Sequence, residues 1–267
     1  MSRSLHCVPI CDILESNPGD TEGFLSDTKS LEGGKGMEKL VRRIKEIPAY
    51  GWIFGFAYFA LQYGMYRLAD FLSRVTGTYE RAFVPKIPFI DDRIPLIPFF
   101  IVIYIFSYIF WIFGPVIASL TDKRNFKNYL TGLSAAYIIG FLIFVFFPTY
   151  MDRASEGLME ISSGSGCFNG LLSAIYNADG GTKAFNLFPS YHCLISLYCY
   201  LGIRKRPEVS LGIRAYSLIM TLLICCSTVF TKQHYFIDIV GGLSISILCY
   251  IIVQKLDPAG AKRAAEQ

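Results

Sequence analysis

Six stretches of this chain are each apolar for close to the length of a lipid bilayer, and no other feature limits the possible folds so strongly. A bilayer core of roughly 30 Å takes about 20 helical residues, and inside it every backbone N–H and C=O must be satisfied by the protein itself. The stretches are Gly51 to Leu72, Pro98 to Leu120, Tyr129 to Phe147, Phe185 to Ile203, Leu211 to Phe230 and His234 to Val253. The expected fold class is therefore all-α: a polytopic membrane bundle of six transmembrane helices, preceded by an amphipathic N-terminal helix. The fourth stretch contains Pro189, which should break its helix near the start and leave only Ser190 to Ile203 as clean helix. Of the 267 residues, 53% are hydrophobic and 17% charged, which is charge-poor beside soluble proteins. A formal charge of +4 is too small to suggest nucleic acid as a partner.

Three segments follow. Residues 1–48 read as a flexible tail ending in "MEKLVRRIKEI", where Met37, Leu40, Val41, Ile44 and Ile47 recur at helical spacing between Lys and Arg, as suits a helix lying in the membrane interface. Residues 49–256 form the membrane domain and residues 257–267 a short tail. Residues 1–36 lack the apolar core of a signal peptide, so the first span is expected to direct insertion. Basic residues at Lys35, Lys39, Arg42, Arg43 and Lys45, at Lys123, Arg124 and Lys127, at Arg204, Lys205 and Arg206, and at Lys255, Lys262 and Arg263 fall on one side, which is expected to be cytoplasmic with both termini. Arg74, Arg81, Lys86 and Arg93 weaken that bias without reversing it. The opposite side carries the long loops Ser73 to Ile97 and Pro148 to Ala184, and a tight turn at Thr231 to Gln233. Within the second loop, "CFNGLLSAIYNADGG" reads as a short interfacial helix ended by Asp179-Gly180-Gly181.

The eight cysteines do not suggest a disulfide scaffold, since Cys193, Cys199, Cys225, Cys226 and Cys249 lie inside apolar runs and read as core thiols. His6, Cys7 and Cys11 lack a fourth ligand for a metal. Asp91 and Asp92 form an acidic pair without a second acid-rich motif to hold magnesium, and read as a loop feature. No metal and no cofactor is expected.

Reactive groups gather at two places. His192 and His234 stand at the outer ends of the fourth and sixth spans, which antiparallel packing brings to one level. Asp238 follows His234 by four residues, so on a helix its carboxylate would share a face with the imidazole and fix the tautomer. A helix-packing pair of His and Asp is the structural alternative. In "NLFPSYH", the break at Pro189 should leave free N–H groups near Ser190 and Tyr191, which attract anions; a capping Ser is the alternative. Lys232 and Arg153 could add cationic contacts, or simply sit at the interface. Two imidazoles, an orienting carboxylate, a helix start and two cations suit phosphoryl transfer.

These residues resemble the type 2 phosphatidic acid phosphatase superfamily, in particular its divergent bacterial branch and the related inositol phosphorylceramide and sphingomyelin synthases. Pro189-Ser190-Tyr191-His192 matches the family's Pro-Ser-x-His signature, and Ser227, His234 and Asp238 match the spacing of Ser-Arg-x5-His-x3-Asp. "HYFIDIVGG" is similar to the sphingolipid-synthase form of that signature. The resemblance implies a six-span enzyme working without metal, with His234 as the nucleophile that forms a phosphohistidine, Asp238 orienting it, His192 protonating the leaving alcohol, and Ser190 on the phosphate. Of the third signature, Lys-x6-Arg-Pro, Arg153 keeps the Arg, while Phe146 and Ala154 replace Lys and Pro; Thr228 stands where the last signature has Arg. Lys232 is the nearest substitute for a missing cation.

Three functions remain open on these grounds. One is a lipid phosphatase that hydrolyses a lipid phosphate or diphosphate at the outer face of the cell membrane. Another is a lipid phosphotransferase of the inositol phosphorylceramide or sphingomyelin synthase type. The third is a non-enzymatic protein that binds or transports a lipid headgroup. In each, lipid phosphate and membrane lipids are the expected partners.

Overall fold

The computed structural model describes residues 47–257. The proposed interfacial helix up to residue 46, the His6, Cys7 and Cys11 group and residues 258–267 lie outside the described residues. Six longer helices make up the bundle: α1 (Ala49–Val75), α3 (Ile101–Ala118), α4 (Lys123–Phe146), α7 (Tyr191–Ile203), α8 (Leu211–Phe230) and α9 (Phe236–Leu256). Three short helices lie in the connections, α2 (Pro88–Asp91), α5 (Leu158–Ser162) and α6 (Cys167–Ala178). One feature departs from all-α: Tyr150–Asp152 (β1) and Lys183–Phe185 (β2) pair antiparallel, Met151 opposite Ala184. That ladder ties the two ends of the second long loop together.

Four helices, α3 with its preceding turn, α4, α8 and α9, are long and apolar enough to cross a membrane, and this is a membrane protein. The other two expected spans fall short for different reasons. α1 has 27 residues, but Gln62, Arg67 and Asp70 dilute its apolar run. α7 is apolar but has only 13 residues, because the chain from Asn186 to Ser190 is non-helical; the Phe188–Pro189 bond is cis. Ser190 is its N-cap, as the break at Pro189 requires.

α7 is the central element, buried almost throughout its length, and it packs against α9, α8, α3 and α4. Non-helical backbone inside a bundle is tolerated only where the protein satisfies its polar groups, and Thr149 does this for the entry to α7. Its carbonyl accepts from Asn186 N–H (2.9 Å), and its hydroxyl oxygen accepts from Leu187 N–H (3.1 Å) and Phe188 N–H (2.8 Å). Large apolar side chains on α8 and α9, including Leu211, Ile219, Leu222, Leu248 and Ile252, point outward, as lipid-facing surfaces do.

The ends of the bundle differ in character. At one, Arg124 pairs with Asp257, Asp122 caps α4 and Asn125 reaches the Gly202 carbonyl (3.4 Å), gathering the basic links of the chain. At the other, the start of α7, the start of α9 and the end of α8 meet the long loops.

The start of α9 differs from the sequence expectation. His234 is not on the helix, which begins at Phe236 with Tyr235 as N-cap, so the His234–Asp238 contact is not a helical i, i+4 pair. Asp238 is instead the third helical residue. Its Oδ2 accepts from Tyr235 N–H (2.9 Å), closing a capping box, and the same oxygen lies 3.3 Å from His234 Nδ1. The Asp238 carbonyl accepts from Ser190 N–H (3.0 Å), which joins the start of α9 to the start of α7. Asp91, read from sequence as a loop feature, is buried: its Oδ1 accepts from Phe236 N–H (2.8 Å) and its Oδ2 from Ile87 N–H (2.6 Å).

Gly241 and Gly242 permit this approach. A Cβ on Gly242 would lie 2.5 Å from the Ser190 carbonyl oxygen and 3.1 Å from Leu194 N, both backbone atoms that cannot swing aside, and one on Gly241 would meet the Phe188 ring.

Two stability predictions follow from this joint. Gly242→Val should drive α9 from α7 and lower the thermal midpoint in detergent by the equivalent of about 1–3 kcal/mol, whereas Gly64→Ala, with nothing near its Cβ, should hold or raise it. Asp238→Ala should cost about 1–3 kcal/mol by stranding the Tyr235 N–H, and Asp238→Asn, whose amide oxygen still accepts, should recover most of that loss.

Candidate active site

His192 and His234 face one another with ring centroids 6.0 Å apart, and both line a cavity of about 260 Å³ between α1, α3, α7 and the loops. His234 reaches it from a tight turn. There Lys232 takes a positive φ of 50°, and the Thr228 carbonyl accepts from both Gln233 N–H (2.9 Å) and His234 N–H (3.1 Å). His192 reaches it from the first turn of α7.

In each imidazole the inner nitrogen is engaged. A carboxylate only accepts, so the 3.3 Å contact with Asp238 puts the proton of His234 on Nδ1 and leaves Nε2 with a free lone pair. Ser107 Oγ lies 2.6 Å from the Tyr104 carbonyl and 3.0 Å from His192 Nδ1, so that nitrogen is engaged and His192 Nε2 is left for the cavity. The His192 ring is fixed in an aromatic box on α3, stacked on Tyr104 with centroids 4.0 Å apart and tilted against Trp111 at 4.7 Å. Trp111 is anchored in turn by Nε1 donating to Ser196 Oγ (3.0 Å). One imidazole placed to attack and another placed to give or take a proton are the parts needed for acid–base and covalent chemistry at a single small group.

The remaining residues singled out from sequence have these places. Tyr191 lines the cavity with its ring, while its hydroxyl donates to the Tyr137 carbonyl (2.7 Å) on the core side. Ser190 is fully buried, and its hydroxyl oxygen accepts from Cys193 N–H (3.4 Å) as the cap of α7. Lys232 donates from Nζ to the Asp91 carbonyl (2.9 Å), and desolvation holds its pKa below the ordinary lysine value despite nearby Glu156 and Asp91.

Arg153 is completely buried. Its NH1 donates to the carbonyls of Tyr176, Asp179 and Gly181, each at 3.2 Å, and its NH2 to Asp179 Oδ2 (2.9 Å) and Gln233 Oε1 (2.7 Å). The guanidinium thus closes the end of α6 onto the His234 turn. The structure brings His192, His234, Asp238 and the Tyr191 ring together, with Ser190, Lys232 and Arg153 in the frame around them. At the positions of the missing family cations, Phe146 is exposed at the end of α4, and Thr228 is buried with its hydroxyl on the Cys225 carbonyl (2.7 Å).

Several lining residues were not picked out from sequence. Arg67 lines the cavity from α1 and also a second recess of about 250 Å³ beside it; its only signal was a charge, with Asp70, inside a largely apolar span. Gln62, Asn186 and Gln233 bring buried amides to the wall. The aromatic box had a signal in the spacing of Tyr104, Ser107, Tyr108 and Trp111, which one helix face collects. Among the described residues no group of three or more His, Cys, Asp or Glu converges as a metal-ligand set.

Comparison with known proteins accords with this geometry. The profile of the PAP2 superfamily matches residues 81–252, well over half of the chain and inclusive of both histidines. Over 172 residues the chain is 27% identical to the inositol phosphorylceramide synthase catalytic subunit aur1 of Schizosaccharomyces pombe, an alignment that takes in 57% of this chain and 37% of that relative. The chain therefore matches well under half of that protein's length. No solved structure matches. A membrane bundle whose two histidine motifs converge, matched by that profile from residue 81 into α9, belongs to the PAP2 superfamily and is related to the inositol phosphorylceramide synthases.

Proposed function

We propose that this protein is an integral-membrane lipid phosphatase acting on a lipid phosphate or diphosphate through a phosphohistidine. The observation that carries this reading is the pair of imidazoles 6.0 Å apart, each with Nδ1 engaged and each on the wall of one cavity. His234 Nε2 attacks phosphorus, forming a P–N bond as the P–O bond to the lipid breaks, and His192 gives the proton on its cavity-facing Nε2 to the departing oxygen. Water then attacks phosphorus, the P–N bond breaks, and the proton returns to His192. Asp238 holds the His234 tautomer and stabilises the positive charge as it develops. Ser190, Tyr191, Lys232 and Arg153 order the phosphate side of the site.

In the same reading α1 and α7 complete six spans, α7 being short because the other helices surround it. The basic links mark the cytoplasmic side of the cell membrane and the histidines face the outer leaflet. Tyr63, Tyr66, Tyr108 and Phe144 supply apolar cavity wall for a lipid tail.

A second reading, phosphotransfer, is favoured by the relationship to a protein whose name is that of an inositol phosphorylceramide synthase. There a lipid or polyol hydroxyl replaces water in the second step, and the histidine chemistry is unchanged.

The test is turnover of phosphatidic acid, a prenyl diphosphate and phosphatidylinositol by the purified protein. His234→Ala should reduce release of the lipid alcohol by about 10³-fold or more, and His192→Ala by about 10²–10⁴-fold. Undiminished release by His234→Ala would exclude the mechanism. With a lipid or polyol alcohol supplied as acceptor, free phosphate without a new phosphodiester selects the phosphatase, and a new phosphodiester lipid detected by mass spectrometry selects the transferase.

A further inference from the structure

Phosphoryl transfer places negative charge on oxygens that need donors, yet of the cations near these histidines Arg153 and Lys232 are committed elsewhere, which leaves Arg67 on the cavity wall from α1. Arg153 spends both terminal nitrogens on loop carbonyls, Asp179 and Gln233, and Lys232 is held by the Asp91 carbonyl. Gln233 immediately precedes His234, is only 2% exposed and lines the cavity with both histidines. Its Oε1 accepts from Arg153 NH2 at 2.7 Å, while its Nε2 is buried with no hydrogen-bond partner. The assignment of oxygen and nitrogen is not arbitrary: a guanidinium can only donate, so the amide oxygen must face Arg153 and the NH2 must be the free end.

An unpaired buried donor is costly in a folded protein, on the order of 1–3 kcal/mol, and such groups call for an occupant. A charged donor on Oε1 also draws electron density from the amide and makes its N–H groups stronger donors. The turn holds the backbone at this point, because both Gln233 N–H and His234 N–H are bonded to the Thr228 carbonyl. A donor one residue from the attacking imidazole is thereby fixed before substrate arrives.

We propose that Gln233 is a catalytic residue whose Nε2 donates to a non-bridging oxygen of the phosphoryl group during its transfer to His234. Arg153 is then a positioning residue: it reaches the phosphate through the Gln233 amide. Asn186 adds a second amide to the same wall, 4% exposed, at a positive φ of 58° and with neither side-chain atom paired. The assignment rests on the phosphoryl-transfer reading of the site and adds the group that receives the phosphoryl oxygens.

Gln233→Glu separates this role from a structural one, because the introduced carboxylate still accepts from Arg153 but offers no donor to the cavity. In the full-length protein with phosphatidic acid, kcat/KM should fall about 10²–10³-fold, mainly in kcat. Inhibition by orthovanadate should weaken in step, while the thermal midpoint stays level or rises. Wild-type kcat/KM with unchanged vanadate inhibition in the folded variant overturns the assignment. Should that variant fail to fold, Gln233→Met decides: vanadate affinity reduced about tenfold or more in the folded protein sustains the donor role, and unchanged affinity overturns it. His234→Ala, assayed in parallel, keeps the two questions apart. Activity surviving that change defeats the phosphoryl-transfer reading itself, whereas an inactive His234→Ala beside a fully active Gln233→Glu defeats only the role given to Gln233.

Discussion

Asp238 bonds in three directions from the start of α9. Its carboxylate caps the helix at Tyr235 N–H and holds His234 Nδ1, and its carbonyl takes the N–H of Ser190. One residue thereby fixes the tautomer of His234, the start of its own helix and the distance to the helix that carries His192. The joint requires close backbone approach, which Gly241 and Gly242 allow and a side chain would forbid. Moving α9 by the thickness of a methyl group would part the imidazoles from the geometry a single phosphorus atom needs, and small misplacements of reacting groups are expensive in rate.

Around this joint the bundle meets the problem of polar groups in an apolar medium largely by pairing them, with Asp238 Oδ1 and Arg153 Nε left without a partner. Thr149 satisfies the non-helical entry to α7, Asp91 takes the Phe236 N–H, and Arg153 gathers three carbonyls, a carboxylate and an amide. The buried groups left unpaired at the cavity wall, Gln233 Nε2 and both polar atoms of Asn186, are therefore informative. A cavity framed by aromatic rings and bearing unpaired donors suits an amphiphilic ligand, polar at the histidine end and apolar along the wall.

Much of this was legible in the sequence, because membrane spans are written in local composition and a proline break is a local event. The α8 boundaries at Leu211 and Phe230, the cap at Ser190 and the Asp179-Gly180-Gly181 end of α6 follow from local patterns. What could not be read depends on partners distant in the chain. Spacing alone placed His234 and Asp238 on one helix face, but Tyr235 and Asp91 fix the helix start two residues later, so Asp238 acts as a cap. Arg153 looked available for phosphate because nothing in "YMDRAS" reveals the carbonyls that the end of α6 presents to it. Gln233 carried no signal, since an amide beside a histidine is unremarkable until its oxygen is seen to be taken and its nitrogen free.

The central claim is that His234 bonds covalently to phosphorus. Rapid acid-free quenching of the protein turning over phosphatidic acid labelled at phosphorus, followed by peptide mapping under alkaline conditions that preserve phosphohistidine, tests it directly. The account predicts label on His234, absent from His234→Ala and persisting longer in His192→Ala, where the group that assists the second step is missing. Label on another residue, or release of labelled phosphate with no protein-bound intermediate at any quench time, would contradict it.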